Sequence, residues 1–213
     1  MSAGRRITIL SGAAACSLGL MIFSFFIHYK FPVRLVSFAA LLATSFVISK
    51  NIRTFRDLKK IFSEDSSLYT TIIYTIIGVG AGIVASVQYR GSLNISMFPE
   101  SIHLFVIPAA LIGCMEELVF RGFIQVYVNR INGTFSVLFS TLSHTGYKCF
   151  LFLAPAVSAD INIGYLAFYT FIAGIILGTI RNLSKSLLPS LAAHAIFDIL
   201  VYAEAAVAPW WVW

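Results

Sequence analysis

Two acidic residues and one basic residue interrupt an apolar stretch in the second half of the chain. The sequence CMEELVFRGF (114–123) carries Glu116, Glu117 and Arg121, and each charge at the middle of a transmembrane helix costs at least ~2.5–3.5 kcal/mol on insertion scales. Residues four apart share a helix face, so Glu117 and Arg121 can neutralise each other. Glu116 points about 100° away from this pair and is expected to be unpaired. An unpaired carboxyl in apolar surroundings suits a group that takes and gives protons near neutral pH.

Two histidines and an aspartate on later apolar segments extend this set. His194 and Asp198 also lie four residues apart, and His144 lies on an earlier segment. Counting about 1.5 Å per residue from the inner ends of the predicted helices places these residues and Glu116 at depths of about 11 to 18 Å. Residues far apart in the sequence therefore share one layer, where His144 and Glu116 could hold the same water molecule. For a single histidine, the alternative is a structural role with its ring bonded to a backbone carbonyl.

The composition is that of a membrane protein. Of the 213 residues, 59% are hydrophobic and 11% are charged, whereas soluble domains contain about 25% charged residues. A spanning helix needs about 20 mostly apolar residues. The segments that approach this length are 7–29, 31–49, 68–89, 101–128, 134–157, 162–180 and 187–208. We therefore predict an all-α polytopic membrane protein, built as a bundle of about seven transmembrane helices.

The basic residues indicate how the chain crosses the membrane. With the amino terminus in the cytoplasm, the cytoplasmic segments hold Arg5, Arg6, Lys50, Arg53, Arg56, Lys59, Lys60, Arg130, Arg181 and Lys185. The outer segments hold only Lys30, Arg34 and Arg90. This distribution follows the positive-inside rule and accounts for the net charge of +6 without a nucleic acid partner. The aromatic tail 209–213 then lies at the outer interface, which indole rings favour.

Other polar residues in the apolar segments are interpreted as structural. Cys16, Cys114 and Cys149 have no regular spacing, so we expect them to pack in the core rather than form disulfides or bind a metal. Glu204 and Lys148 lie near the outer ends of their helices, and we expect them to pair.

Three of these features together resemble a known family. The stretch EELVFR (116–121) has the pattern EExxxR, a later helix carries His144, and HAIFD (194–198) has the pattern HxxxD. In this order they resemble the CPBP family of intramembrane proteases, also called the Abi or type II CAAX prenyl endopeptidase family. The resemblance covers residues 101–200. EExxxR alone is a weak signal, but three motifs in order and at one depth are fairly specific.

The resemblance implies a role for each motif residue. It implies that Glu116 and His144 activate a water molecule and that His194 and Asp198 bind the oxyanion or the substrate. If Asp198 is ionised it would pair with His194, and a charged imidazolium is a better oxyanion donor than a neutral ring. The family was formerly described as metalloproteases and is now usually described as glutamate proteases, so no cofactor is expected.

The supporting residues of the motifs agree with the family in part. The resemblance implies that Glu117 and Arg121 order the site, as their spacing also suggests. The middle motif of the family is commonly FxxxH, but Ser140 precedes His144 by four positions and Phe139 lies one place earlier. An aromatic packing contact is therefore expected to be shifted or missing.

The expected activity is hydrolysis of a peptide bond in a water-filled pocket open to the cytoplasmic leaflet, without a covalent intermediate. Residues 1–100 would form three spans with a basic cytoplasmic loop at 51–67, and residues 101–208 would form the catalytic core. Expected partners are the lipid bilayer and a membrane-anchored peptide or protein. A prenylated CAAX tail, a pheromone or bacteriocin precursor and a carboxyl-terminal sorting helix all fit this description. The small size favours a prokaryotic inner membrane.

These residues also allow other chemistries. A zinc-dependent protease could use the two histidines and the carboxylates, although the chain has no HExxH motif. A serine nucleophile at Ser140 or Ser143 is disfavoured, because Ser143 directly precedes His144 on the helix and points elsewhere. The rival from another class is a non-catalytic membrane protein, such as a scaffold, an immunity factor or an ion carrier, since charge clusters in membranes also mark transport routes.

Overall fold

The fold is an assembly of α-helices. The computed structural model describes residues 2–52, 54–155 and 162–205. Over these residues the helices are α1 (Ala3–Phe26), α2 (Leu35–Asn51), α3 (Phe55–Phe62), α4 (Leu68–Ser92), α5 (Val106–Glu117), α6 (Val126–Asn129), α7 (Gly133–Leu153), α8 (Ile163–Ser184) and α9 (Leu188–Tyr202). A π-helical segment, Leu118–Gln125, joins α5 to α6. The described residues form no β-strand, so the all-α prediction is confirmed, while the predicted aromatic tail 209–213 lies outside them.

The described helices include three or four candidate membrane spans. Three helices, α1, α4 and α8, are long and apolar enough to cross a membrane. The pair α2 and α3 makes a fourth if it is counted as one span with a bend of 110°. Charged residues at 116, 117 and 121 interrupt the α5–α6 segment, and α9 has only 15 residues. The count of seven spans therefore stays a prediction.

Helix α3 has the character of an interfacial helix. A capping box at its amino end pairs Thr54 with Asp57. Its large apolar residues Phe55 and Leu58 are exposed, while Ile61 is buried. Basic residues occupy the other face, as in helices that lie at the boundary between lipid and water. This helix lies within the predicted basic loop 51–67.

Small residues on α4 bring α9 close to it. The small residues Gly78, Gly82 and Ser86 follow one another at four-residue intervals, and Arg90 continues the same helix face. All four residues are buried. A Cβ atom at Gly82 would overlap the carbonyl oxygen of Ala193. Such stripes are typical of helix packing in membranes, where lipid is as apolar as the side chains and close backbone approach supplies the attraction. This contact fixes the position of α9, which contributes two side chains to the candidate site.

The predicted pair of Glu204 with Lys148 is wrong. Arg90 Nη2 lies 2.9 Å from Glu204 Oε2, and Arg90 Nη1 donates to the carbonyl oxygen of Leu200 at 3.1 Å. Glu204 lies just beyond the end of α9, and the close packing of α9 on α4 turns it toward Arg90. The Arg90–Glu204 pair therefore clamps α4 to α9 at the end predicted to face outward.

The cysteines are free. Cys16 is buried beside Leu20 and Phe120 in the core, as expected for an apolar packing residue. Cys114 and Cys149 are half-buried.

Candidate active site

Three helices and the π-helical segment bring the predicted site residues together. Helix α5 ends with Glu116 and Glu117, and the π-helical segment carries Arg121 one turn later. Helix α7 supplies His144, and α9 supplies both His194 and Asp198. A π-helical turn inside an α-helix is frequently found at functional sites. Here it lies directly after the two glutamates of the first motif.

Five of these side chains form a ring of polar contacts, with four short links and one longer separation of 3.9 Å. Glu116 Oε2 lies 3.1 Å from His144 Nε2, and His144 Nδ1 lies 2.9 Å from Arg121 Nη1. Arg121 Nη1 also lies 3.1 Å from Glu117 Oε1. Glu117 Oε1 lies 3.0 Å from His194 Nδ1, and His194 Nε2 lies 3.9 Å from Glu116 Oε2. The predicted Glu117–Arg121 pair is therefore present, and it connects the two histidines.

Arg121 determines which nitrogen of His144 carries the proton. A guanidinium N–H can only donate a hydrogen bond, so His144 Nδ1 must accept. In the neutral ring the proton is then on Nε2, and His144 Nε2 donates to Glu116 Oε2. The Glu116 carboxylate is thereby held in one orientation.

His194 has the opposite arrangement. Glu117 is paired with Arg121 as a carboxylate, which accepts hydrogen bonds only, so His194 Nδ1 donates to Glu117 Oε1. His194 Nε2 faces Asp198 Oδ2 at 3.7 Å and Glu116 Oε2 at 3.9 Å. Both distances are too long for a direct hydrogen bond, and a polar atom between the groups could bridge them. His194 Nε2 is therefore available to a third group.

The expectation that Glu116 is unpaired is wrong. Lys148 Nζ lies 2.5 Å from Glu116 Oε1, in addition to the contact with His144 on the other carboxylate oxygen. Lys148 was missed because depth along the helix placed it nearer Glu204. Its spacing contained the signal, because Lys148 follows His144 by four residues and so shares its helix face.

An aromatic contact to His144 is present but comes from another segment. The ring of Phe120, in the π-helical segment, lies 4.6 Å from that of His144. Ser140, at the position where the family motif commonly has phenylalanine, donates through Oγ to the carbonyl oxygen of Phe120 at 2.7 Å. Phe120 therefore takes the place of the missing aromatic residue, and the Ser140 hydrogen bond ties the two segments together.

Neither serine is placed as a nucleophile. Ser140 Oγ is engaged by the backbone of Phe120. Ser143 Oγ donates to the carbonyl oxygen of Phe139 at 2.8 Å and lies 2.8 Å from Ser17 Oγ on α1, away from the ring of polar contacts. Both hydroxyls therefore serve helix packing.

Gly113 allows α5 and α9 to meet at the site. A Cβ atom added at Gly113 would overlap Asp198 Oδ2 and would lie 2.9 Å from His194 Cδ2. Any larger residue would push these two side chains away from Glu116. Gly113 is thus a positioning residue that the motifs did not reveal.

The donors of the site match zinc in type but not in arrangement. Histidine nitrogens and carboxylate oxygens are zinc ligands. Among the described residues, however, no three or more such side chains are arranged to hold a metal ion. Both ring nitrogens of His144 are engaged, and the cationic groups of Arg121 and Lys148 contact the carboxylates. Nearby positive charges oppose a divalent cation, so these side chains do not fit zinc.

The fold and the site together define an all-α integral membrane protein with a buried cluster of carboxylates, histidines and arginine between its helices. Residues 98–200, about half of the chain, match a family model described as "Type II CAAX prenyl endopeptidase Rce1-like". This match to a family of proteases confirms the resemblance to the CPBP family. Neither a curated protein nor a solved structure was found to match the chain.

Proposed function

We propose that this protein is an intramembrane endopeptidase that hydrolyses a peptide bond in a membrane-anchored protein or peptide with water activated by Glu116. The observation that carries this function is the environment of Glu116 Oε2. His144 Nε2 donates to this oxygen at 3.1 Å, and the free His194 Nε2 faces it at 3.9 Å. Glu116 as the base and His194 as the oxyanion donor thus face one another at 3.9 Å.

In the proposed reaction, Glu116 acts as general base. Glu116 Oε2 takes one proton from a water molecule while the water oxygen forms a bond to the carbonyl carbon of the peptide. The carbonyl π electrons move to its oxygen, and His194 Nε2–H donates to this oxyanion. Asp198, which faces the same nitrogen, supplies a negative charge that stabilises the imidazolium form of His194.

Collapse of the intermediate completes the hydrolysis. The oxyanion electrons re-form the carbonyl, the C–N bond breaks, and Glu116 returns its proton to the leaving amine. His144 keeps its hydrogen bond to Glu116 Oε2 throughout and so orients the base, while Arg121 and Glu117 hold the two imidazole rings. Water is divided between the products, with a hydroxyl on the acyl group and a proton on the amine.

Buried polar atoms near the ring support a hydrated site. Arg121 Nε, Arg121 Nη2 and Glu117 Oε2 are buried and have no hydrogen-bond partner among the described residues. Buried polar groups are almost always hydrogen-bonded, and ordered water commonly supplies the missing partner. Water within reach of Glu116 is what the proposed hydrolysis requires.

The substrate class and orientation are part of this proposal. A prenylated CAAX tail, a pheromone or bacteriocin precursor and a carboxyl-terminal sorting helix all offer a hydrophobic anchor that reaches the site through the bilayer. The amino terminus faces the cytoplasm, as the basic residues indicate, and the membrane is a prokaryotic inner membrane.

The first test is cleavage of a panel of membrane-anchored peptides by the purified protein in lipid nanodiscs. Glu116→Gln preserves the shape of the side chain but removes its ability to take a proton. Loss of a general base lowers rates by about 10²–10⁴-fold, and we expect a loss in this range. Glu100→Gln makes the same chemical change at an exposed position and should leave the rate unchanged.

A chelator arm and a folding control complete this test. We expect cleavage to persist with a chelator, and loss of activity on chelation would overturn the metal-free mechanism. If well-folded wild-type protein cleaves no anchored peptide, the peptidase proposal fails and a scaffold, immunity or ion-carrier role takes its place.

A further inference from the structure

Lys148 occupies a position in the site that neither the family motifs nor the hydrolytic mechanism uses. Its ammonium group contacts Glu116 Oε1, the oxygen opposite to the one held by His144. It also lies within electrostatic range of Asp198 on α9 and Tyr89 on α4. Lys148 is therefore placed where α5, α7 and α9 meet around the candidate base.

Exposure distinguishes Lys148 from the other cation of the site. The side chain of Arg121 is 1% exposed and bridges Glu117 and His144. The side chain of Lys148 is 26% exposed. A ligand that enters the site can therefore reach Lys148, whereas Arg121 is enclosed by its protein partners.

The contact with Glu116 conflicts with the proposed chemistry. An ammonium group in contact with a carboxylate stabilises the charged form and opposes its protonation. Glu116 must accept a proton in the first step, so the reaction is favoured when Lys148 leaves Glu116 for another anion. A flexible lysine side chain can make this exchange, because its ammonium is a point charge without fixed geometry.

Building on the proposed peptidase activity, we propose that Lys148 binds a carboxylate of the substrate, namely its free carboxyl terminus a few residues from the scissile bond. Binding of this carboxylate draws the ammonium away from Glu116 and frees the base. The carboxylate must be close to the scissile bond, since Lys148 Nζ lies against the residue that activates the water. Lys148 is thus a specificity-determining residue, and substrates that end in a free carboxylate near the cleavage site are preferred.

A pair of matched peptides tests this role. The two membrane-anchored substrates are identical except that one ends in a carboxylate and the other in an amide. A hydrogen bond to a charged group contributes about 1.5–3 kcal/mol, so we expect wild-type protein to prefer the carboxylate by about tenfold or more in kcat/KM. Lys148→Arg should retain the preference, and Lys148→Met should bring the ratio near one.

The ratio within each variant separates substrate recognition from a structural role. If Lys148 only neutralised Glu116, Lys148→Met would change the cleavage rates of both substrates by the same factor and keep their ratio. That result, or a wild-type protein without preference, would overturn the role of Lys148. Lys30→Met removes a lysine from an exposed connection and should keep the wild-type ratio.

The same experiment distinguishes this role from the peptidase activity itself. If wild-type protein cleaves both peptides at equal rates, the peptidase proposal stands and the carboxylate preference is wrong. If it cleaves neither, the peptidase proposal fails first.

Discussion

The two histidines of the site differ in what holds their Nδ1 atoms. Nδ1 of His144 accepts from Arg121, whereas Nδ1 of His194 donates to Glu117. The first ring therefore presents an N–H to Glu116, and the second keeps a free Nε2 for another partner. The same residue type can serve two purposes because its neighbours select the position of the proton.

Arg121→Lys tests this selection at the level of one residue. A lysine keeps the positive charge but lacks the rigid guanidinium plane that places Nη1 against both Glu117 and His144. Changing the residue that orients a site residue typically costs about 10–100-fold in metal sites, and we expect a loss of that size in cleavage rate. Nitrogen NMR shifts of labelled histidine should show a mixture of tautomers at His144 instead of one.

Arg181→Lys provides the matched control for this change. Arg181 is equally buried, but it donates to the backbone oxygens of Lys60 and Ile61 rather than to the site. We expect lower stability without a change in the His144 tautomer. An unchanged tautomer in Arg121→Lys would contradict the orienting role of Arg121.

At the scale of helices, the site depends on how closely α5 and α9 approach. Gly113 provides the contact on α5, and the small-residue stripe of α4 holds α9 from the other side. The π-helical segment also needs a small residue, because a Cβ atom at Gly122 would lie 2.8 Å from Ile61 Cγ2 on α3. The geometry of the polar ring therefore follows from helix contacts made by residues that have no chemical role.

Gly113→Ala should disturb the site without unfolding the protein. The added methyl group overlaps Asp198 and crowds His194, and a misplacement of about 1 Å in an active site can cost about 10²-fold in rate. Overpacking typically costs about 1–3 kcal/mol in stability. We expect a fall in kcat of at least about tenfold, measured together with thermal unfolding in detergent.

Gly80→Ala is the control for Gly113→Ala. It makes the same change in the middle of α4, where no atom lies within 4 Å of the added Cβ. Alanine has a higher helix propensity than glycine by about 1 kcal/mol, so full activity and equal or higher stability are expected. Equal activity losses in both variants would mean that Gly113 has no special place at the site.

At the scale of the whole molecule, polarity is reversed relative to a soluble protein. Charged side chains such as Arg90, Glu117 and Arg121 are fully buried, while large apolar residues such as Phe46 and Ile76 are exposed. Lipid satisfies the apolar surface, and the buried charges are tolerated because each contacts an opposite charge. This arrangement keeps polar chemistry inside a protein whose exterior faces hydrocarbon.

Thiol labelling in intact cells tests the orientation of this molecule. With the three native cysteines replaced by alanine, single cysteines are introduced as Met97→Cys in the connection after α4 and Arg56→Cys on α3. Both positions are exposed. If the amino terminus is cytoplasmic, a membrane-impermeant reagent labels the Met97→Cys variant in intact cells and the Arg56→Cys variant only after lysis. The reverse pattern would contradict the orientation based on basic residues.

Local spacing predicted the features that arise within one helix. The Glu117–Arg121 and His194–Asp198 faces follow from four-residue spacing alone, since helix geometry is the same in every context. The apolar segments similarly predicted the all-α membrane fold, because a chain in lipid must satisfy its backbone hydrogen bonds internally. The family followed from motifs that use the same local spacing.

The contacts between helices were decided by the tertiary structure. Lys148 pairs with Glu116 rather than with Glu204, and Arg90 takes Glu204 instead. Likewise, Phe120 contacts His144 where the linear motif suggested a missing aromatic residue. These partners depend on the rotation and depth of each helix relative to its neighbours, which small residues such as Gly113 set through close packing. The sequence by itself therefore determined the membrane class, the helices and the ionisable groups, and tertiary packing decided which of those groups touch.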